Sequence, residues 1–310
     1  MNARTKKLAV LFVLTLTLFA GAKHMNAEAP AEAPAEQQLT ELAEQWCKQL
    51  AADPSFATWR GAKLSVYPLG PGTHSWMVIL SQQEERVGYF IIHAVENGGY
   101  TLGEYGLDPY ISLLDSFEQQ TSLLPGTYSN ENNEAAAFYY IHPFLAVYAS
   151  NNAAEGLYEL FSSEQLPVTI DQFKAEAQSS SLKAKQAELQ ALTNNKIATA
   201  GLSRLASFAH VEPFDSFSSM PWLTKASLNQ NYSLKELNIL KAQIIKAIQK
   251  DEQLRYVTEQ YKEAVLFASS VTGYHQWDEQ LYVALSVPEH QTAVRYIPLS
   301  VLMAYGHFYR

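Results

Sequence analysis

The chain has 310 residues, 22 Lys+Arg against 31 Asp+Glu, and a formal net charge of −9 at pH 7. It carries no basic stripe, which argues against nucleic acid and anionic membrane surfaces as partners. Its one cysteine, Cys47, excludes an intramolecular disulfide and a thiolate metal cluster.

Residues 1–22 read as a cleaved secretory signal. Arg4, Lys6 and Lys7 form a positive start, Leu8 to Phe19 is apolar apart from two threonines, and Ala20-Gly21-Ala22 offers small residues at a cleavage site. The apolar run is shorter than the roughly 20 residues of a spanning helix. An uncleaved anchor, or a cut near Ala27 or Ala29, is the alternative. Loss of Arg4, Lys6 and Lys7 takes the net charge from −9 to −12. The expected location is secreted or cell-surface, with no membrane contact beyond the signal.

Residues 23–38 form a Pro/Ala/Glu-rich linker, expected to be extended and solvated from Ala27 to Gln38. An α+β module is then expected over 39–170. Leu39, Leu42, Trp46 and Leu50 recur at helical spacing in a segment that stops near Asp53-Pro54. Cys47 lies at the edge of that apolar face, as a half-buried structural thiol or one free for an intermolecular disulfide. Ser75–Leu80 and Val87–Val95 are rich in Trp, Val, Ile, Tyr and Phe, and Asn97-Gly98-Gly99 turns the chain into Tyr100-Thr101-Leu102. These predict a three-stranded antiparallel meander with SQQEER as a solvated hairpin connection. The run FIIHA is apolar on both faces, as in a central strand. A short helix is expected at 111–117, a polar loop at 119–134, and strands at 137–149 and 157–161.

A helical connector follows over 171–200, then a smaller C-terminal α+β module over 201–310. Within it, His210 to Trp222 reads as an aromatic loop. Ser233 and Glu236 form a capping box for a helix to Lys250, whose buried stripe is Leu237, Leu240, Ile244, Ile245 and Ile248. A second helix is expected near 252–261, strands at 264–270 and 280–287 joined by TGYHQWDE, a short strand at 295–297, and a short terminal helix. The fold class is α+β: an antiparallel sheet module with an N-terminal helix, a helical connector, and the C-terminal module.

There is no Gly-x-Ser-x-Gly elbow, His-Glu-x-x-His helix, phosphate-binding glycine loop or EF-hand loop. No catalytic residue, metal ligand or cofactor is therefore assigned. Three weaker groupings remain. His275, Trp277, Asp278 and Glu279 share an expected hairpin tip, where an imidazole and two carboxylates can bind a divalent metal or do acid–base work. The plainer alternative is a polar turn with one aromatic packed down. His74, His93 and His142 lie on or beside strands. Phe214, Phe217, Trp222 and Tyr232 can line a groove for a peptide or glycan, or plug two modules together.

The stretches YPLGPGTHSW, VGYFII, GEYG and YYIHPF, within Tyr67 to Pro167, resemble a set of exported proteins of Gram-positive bacilli. In such relatives similar modules precede papain-fold cysteine peptidase domains. The pattern is also similar to the propeptide-like segments of streptopain-like peptidases. The resemblance implies a propeptide-like module that binds or regulates an extracellular protein partner, a secreted peptidase being one candidate. This chain has no cysteine after Thr169, so no papain-type nucleophile carries over. The expectation is a non-catalytic exported binding protein. A polymer-acting enzyme or a surface structural protein using the C-terminal module is the alternative.

Overall fold

The computed structural model describes residues 32–69, 74–95, 98–107, 137–149, 156–162, 164–196, 204–287 and 290–310. The expected signal peptide, the helix at 111–117 and the loop at 119–134 lie outside them. Residues Leu39–Arg310 form one compact unit; Met1–Gln38 is a second, described only from Glu32.

Helix α1 (Glu32–Leu50) begins six residues before the expected point, so the end of the Pro/Ala/Glu tract is helical rather than extended. Pro34 sits in the first turn, where the missing N–H costs little. Leu39, Ala43, Trp46, Cys47 and Leu50 fall on one stripe and are buried. Asp53 then caps a 3-10 helix, Pro54–Trp59, by accepting the Ser55 N–H.

Four strands follow in a meander: β1 (Lys63–Pro68), β2 (Ser75–Gln82), β3 (Glu85–Ala94) and β4 (Tyr100–Leu107). The expected β2–β3–β4 order holds, and Phe90, Ile91 and Ile92 in β3 are fully buried, as a central strand requires. The SQQEER connection shrinks to a two-residue turn. Gln83 and Glu84 both take positive φ, 50° and 69°, which matches the strands' twist and lets pairing run to the tip. Strand β1 has no counterpart among the expected elements; it pairs with β2, so the sheet edge is β1 and not the Ser75 strand.

A separate four-stranded sheet holds β5 (Ala137–His142), β6 (Leu145–Ala149), β7 (Leu157–Glu159) and β8 (Gln165–Leu166). The connector is two helices, α2 (Ile170–Ala177), capped by a Thr169/Gln172 box, and α3 (Ser180–Lys196). Beyond it come β9 (Leu205–His210), α4 (Leu237–Gln249), β10 (Arg255–Gln260), β11 (Val265–Trp277), β12 (Gln280–Val287), β13 (His290–Pro298), α5 (Leu299–Tyr305) and β14 (His307–Tyr309). The Ser233/Glu236 capping box is formed, opening a short 3-10 turn that runs into α4. Residues 255–260 are a strand and not a helix: Tyr256, Val257 and Thr258 are aromatic or β-branched and all buried.

The two stretches read as modules share one antiparallel sheet of ten strands, ordered β1-β2-β3-β4-β13-β12-β11-β10-β14, with β9 also on β11. The joint is β4 on β13, where Tyr105 faces Tyr296 and Gly106 faces Arg295. One sheet face packs against α1 and the Pro54–Trp59 turn through Trp46, Phe56, Trp59, Phe90, Tyr105, Trp277, Tyr282 and Tyr296. Burial of each such ring stabilises by about 1.5–3 kcal/mol. The opposite face carries Met77, Ile79, Tyr89 and Ile91 against Tyr140, Ala146 and Phe161. Further along the chain, α4 and α5 supply Leu240, Ile244, Ile248 and Leu302 to a cluster with Tyr274 and Val283. Among the described residues no helix is long and apolar enough to cross a membrane.

Candidate functional site

Two irregularities in the ladder build a polar site on the α1 face. In β4 the register shifts opposite Ile91/Ile92, where Gly103 is the extra residue. Leu102 and Tyr105 then both join the α1-side cluster, while Glu104 bonds to Tyr89 and Tyr140 on the other side. In β11 the register shifts between Val271 and Gly273. A Cβ on Gly273 would lie 2.2 Å from the Ala209 carbonyl oxygen, so only glycine lets β9 close on β11 and bring His210 alongside.

One row across the sheet now reads Tyr105, Tyr296, Ala284, Gly273 and His210. The two small residues in the middle leave room above them for large rings. His275, two residues beyond Gly273, stacks on Tyr296 with centroids 4.2 Å apart. Asp53 completes the group from the 3-10 cap. It is fully buried, as is His275, while His210 is 36% exposed.

The hydrogen bonds form one continuous run. Trp277 Nε1–H donates to the Tyr105 hydroxyl oxygen at 3.0 Å. Tyr105 donates to His275 Nδ1 at 2.8 Å. In that arrangement His275 carries its proton on Nε2 and donates to Asp53 Oδ2 at 2.8 Å. His210 Nε2–H donates to the same oxygen at 2.7 Å, and its Nδ1 faces the Tyr296 hydroxyl at 3.4 Å. Burial alone would raise the Asp53 pKa, but the bonds from His210, His275 and Ser55 outweigh it and hold the carboxyl below the usual range. Burial lowers the His275 pKa and so favours neutral imidazole, against the pull of Asp53. The result is a buried carboxylate held between two imidazoles, one of which reaches solvent.

This overturns the expected hairpin-tip cluster. Strand β11 runs on to Trp277, leaving only Asp278 and Glu279 as the turn. His275 and Trp277 point into the core and are fully buried, because aromatic rings cover this face. Glu279 is exposed, and its carbonyl accepts from Lys241 Nζ, while the Asp278 N–H donates to the Arg204 carbonyl. Neither carboxylate meets the imidazole; its acidic partner is Asp53, 222 residues away in sequence. The three other histidines do not converge as a group either. His93 bonds Ser75 at 2.7 Å, His142 stacks on Tyr305 at 3.8 Å, and His74 is exposed. Cys47 is buried and donates its thiol to the Trp59 carbonyl, and burial pushes its pKa up to about 11, so it is neither half-buried nor poised for an intermolecular disulfide.

The aromatic loop from His210 to Trp222 packs over Arg255. Phe214 lies under the Arg255 guanidinium, 4.6 Å from ring centre to charge, and Trp222 meets Phe217 edge-on at 5.8 Å. Phe217, Met220 and Leu223 are 46, 49 and 68% exposed. Tyr232 is tied elsewhere, accepting from Gln243 at 3.1 Å. The loop is pinned from beneath: Ser216 Oγ donates to the Ala268 carbonyl, and Arg255 donates to the Ser216 carbonyl and to Ser218 Oγ.

Across the sheet from Asp53 lies a second charged group. Arg295 Nη2 donates to both oxygens of Glu104, at 3.2 and 3.0 Å, and to the Pro143 carbonyl at 2.7 Å. Its guanidinium sits 3.8 Å from the centre of the Phe161 ring. Glu159 lies 4.0 Å from Arg295 Nη1. Burial raises the pKa of both carboxyls and Arg295 opposes it. Arg295 Nε, Glu159 Oε1 and His142 Nε2 are buried without a hydrogen-bond partner among the described residues.

No protein-family model, curated protein or solved structure matches the chain.

Proposed function

We propose that the chain is an exported, non-catalytic protein that binds an extracellular protein partner through the loop from Phe214 to Leu223, a secreted peptidase being the first partner to test. The observation that carries this reading is the exposure of Phe217, Met220 and Leu223 on a loop whose backbone is already fixed by Ser216 and Arg255. Aromatic residues and methionine are enriched in the cores of protein interfaces, and a loop ordered before binding loses little conformational entropy on docking. The acidic sequence and the resemblance to propeptide-like modules support an extracellular protein as the partner class.

The test is affinity capture. Tagged protein spanning 23–310 is incubated with the culture supernatant and wall fraction of its own producing cells, beside a Phe217→Ser, Met220→Ser, Leu223→Ser variant. These side chains are exposed, so the variant is expected to fold normally. One secreted protein enriched by the parent and lost by the variant supports the reading. Equal capture by both, or enrichment of wall polymer alone, overturns it.

A further inference from the structure

We propose that Asp53, His210 and His275 form a binding site for a divalent transition-metal ion of the zinc class. Two imidazole Nε2 atoms and one carboxylate oxygen lie within 4.8 Å of one another. That donor set suits zinc and its neighbours, whereas calcium and magnesium prefer all-oxygen shells. Each ligand already has a supporting partner. Tyr105 faces Nδ1 of His275, Tyr296 faces Nδ1 of His210, and the Ser55 N–H holds the free carboxylate oxygen. Metal-bound histidines are oriented in this way, by a hydrogen bond on the remaining ring nitrogen.

Binding needs two rearrangements, a change of tautomer and a small widening of the site. In the metal-bound form each imidazole carries one proton, on Nδ1, so that Nε2 offers its lone pair to the ion. The Nδ1–H of His275 then donates to Tyr105, whose hydroxyl hydrogen turns away. The present nitrogen–oxygen separations, 2.7 and 2.8 Å, are hydrogen-bond distances. Tetrahedral zinc, with bonds of about 2.0 Å, sets its donors roughly 3.3 Å apart. The imidazoles must therefore draw back by about half an ångström. His210 can do so, because β9 pairs only with β11 among the described residues and the ring reaches solvent. Its exposure also admits water to the fourth position.

The experiment uses the chain from residue 23 onward, treated with chelator and dialysed. Calorimetric titration with zinc chloride is expected to give saturable binding at one site per chain, together with a higher melting temperature. Cobalt chloride should give the visible absorption of a tetrahedral ion. His210→Ala, on the half-exposed strand, should weaken zinc binding by about tenfold or more, since loss of a group that merely supports a ligand already costs about that much. His210→Gln preserves a donor to Asp53 and serves the same purpose if the alanine variant folds poorly. Absence of binding by the parent overturns the proposal, as does a variant that binds zinc as the parent does.

Discussion

The two faces of the large sheet hold opposite kinds of buried charge, built from neighbouring residues on the same strands. Glu104 and Tyr105 adjoin in β4, and Arg295 and Tyr296 adjoin in β13. Alternation sends the first of each pair to one face and the second to the other. On the Arg295 face the charges are closed in, and three polar atoms lack a partner among the described residues. On the Asp53 face the run of bonds from Trp277 through Tyr105 and His275 to Asp53 is complete, and it ends on His210, which reaches solvent. A closed-in ion pair acts as a rivet between the sheets, since it fixes their geometry. A saturated network with one open end can exchange that end for a ligand.

Removing one partner should separate the faces most clearly. Arg295→Ala strands Glu104 and Glu159 in an apolar setting and is expected to cost about 3–5 kcal/mol. His210→Ala, at the open end, should cost about 1 kcal/mol, because water can replace its bond to Asp53. Urea unfolding of both variants checks the contrast, and equal losses would remove the distinction between rivet and open end.

Gly273 tests the Asp53 face alone. A methyl group there meets the Ala209 carbonyl at 2.2 Å on a backbone with φ of 155°. Gly273→Ala is expected to cost about 2–3 kcal/mol through overpacking, and to release β9 while the Arg295 face stays intact. Hydrogen exchange should show lost protection at 205–210 and retained protection at 104 and 295. Uniform loss across the sheet would show that β9 is not a separable element.

How much of this is legible in the sequence follows from the range of each interaction. The β2–β3–β4 meander and the Ser233/Glu236 box are local patterns, and both form as read; the stripe of α1 forms with Ala43 and Cys47 in it and Leu42 only half-buried. Strands β1 and β9 escape such a reading. KLSVYP lies on an edge with half-buried residues, and LASFAH is largely exposed, so neither shows a strong alternation. The continuity of the sheet rests on three pairings between Tyr105–Leu107 and Val294–Tyr296, which no local signal marks. The sequence singles out His275, but beside the wrong carboxylates. Asp53 reads only as the end of a helix, and its partners lie 157 and 222 residues away. The signal that points toward it is Asp53-Pro54-Ser55, a helix-capping sequence whose aspartate is fully buried.

The last contrast is one of pH. On the Arg295 side, His142 is buried against Tyr305, and burial lowers its pKa to about 3 from an ordinary value near 6.5. Its folded pKa lies below its unfolded one, so the unfolded chain binds the extra proton first. The stabilising effect of keeping it neutral is complete above about pH 6.5 and is lost progressively as pH falls toward about 3. Between about pH 7 and pH 5 this one group should remove about 2 kcal/mol. His142→Phe keeps the stack on Tyr305 and removes the titration, so its unfolding free energy should fall by about 2 kcal/mol less than the parent's over that interval. Parallel curves for the two proteins would mean that His142 reaches water in the folded state, and the Arg295 face would then be no more sealed than the face that carries His210.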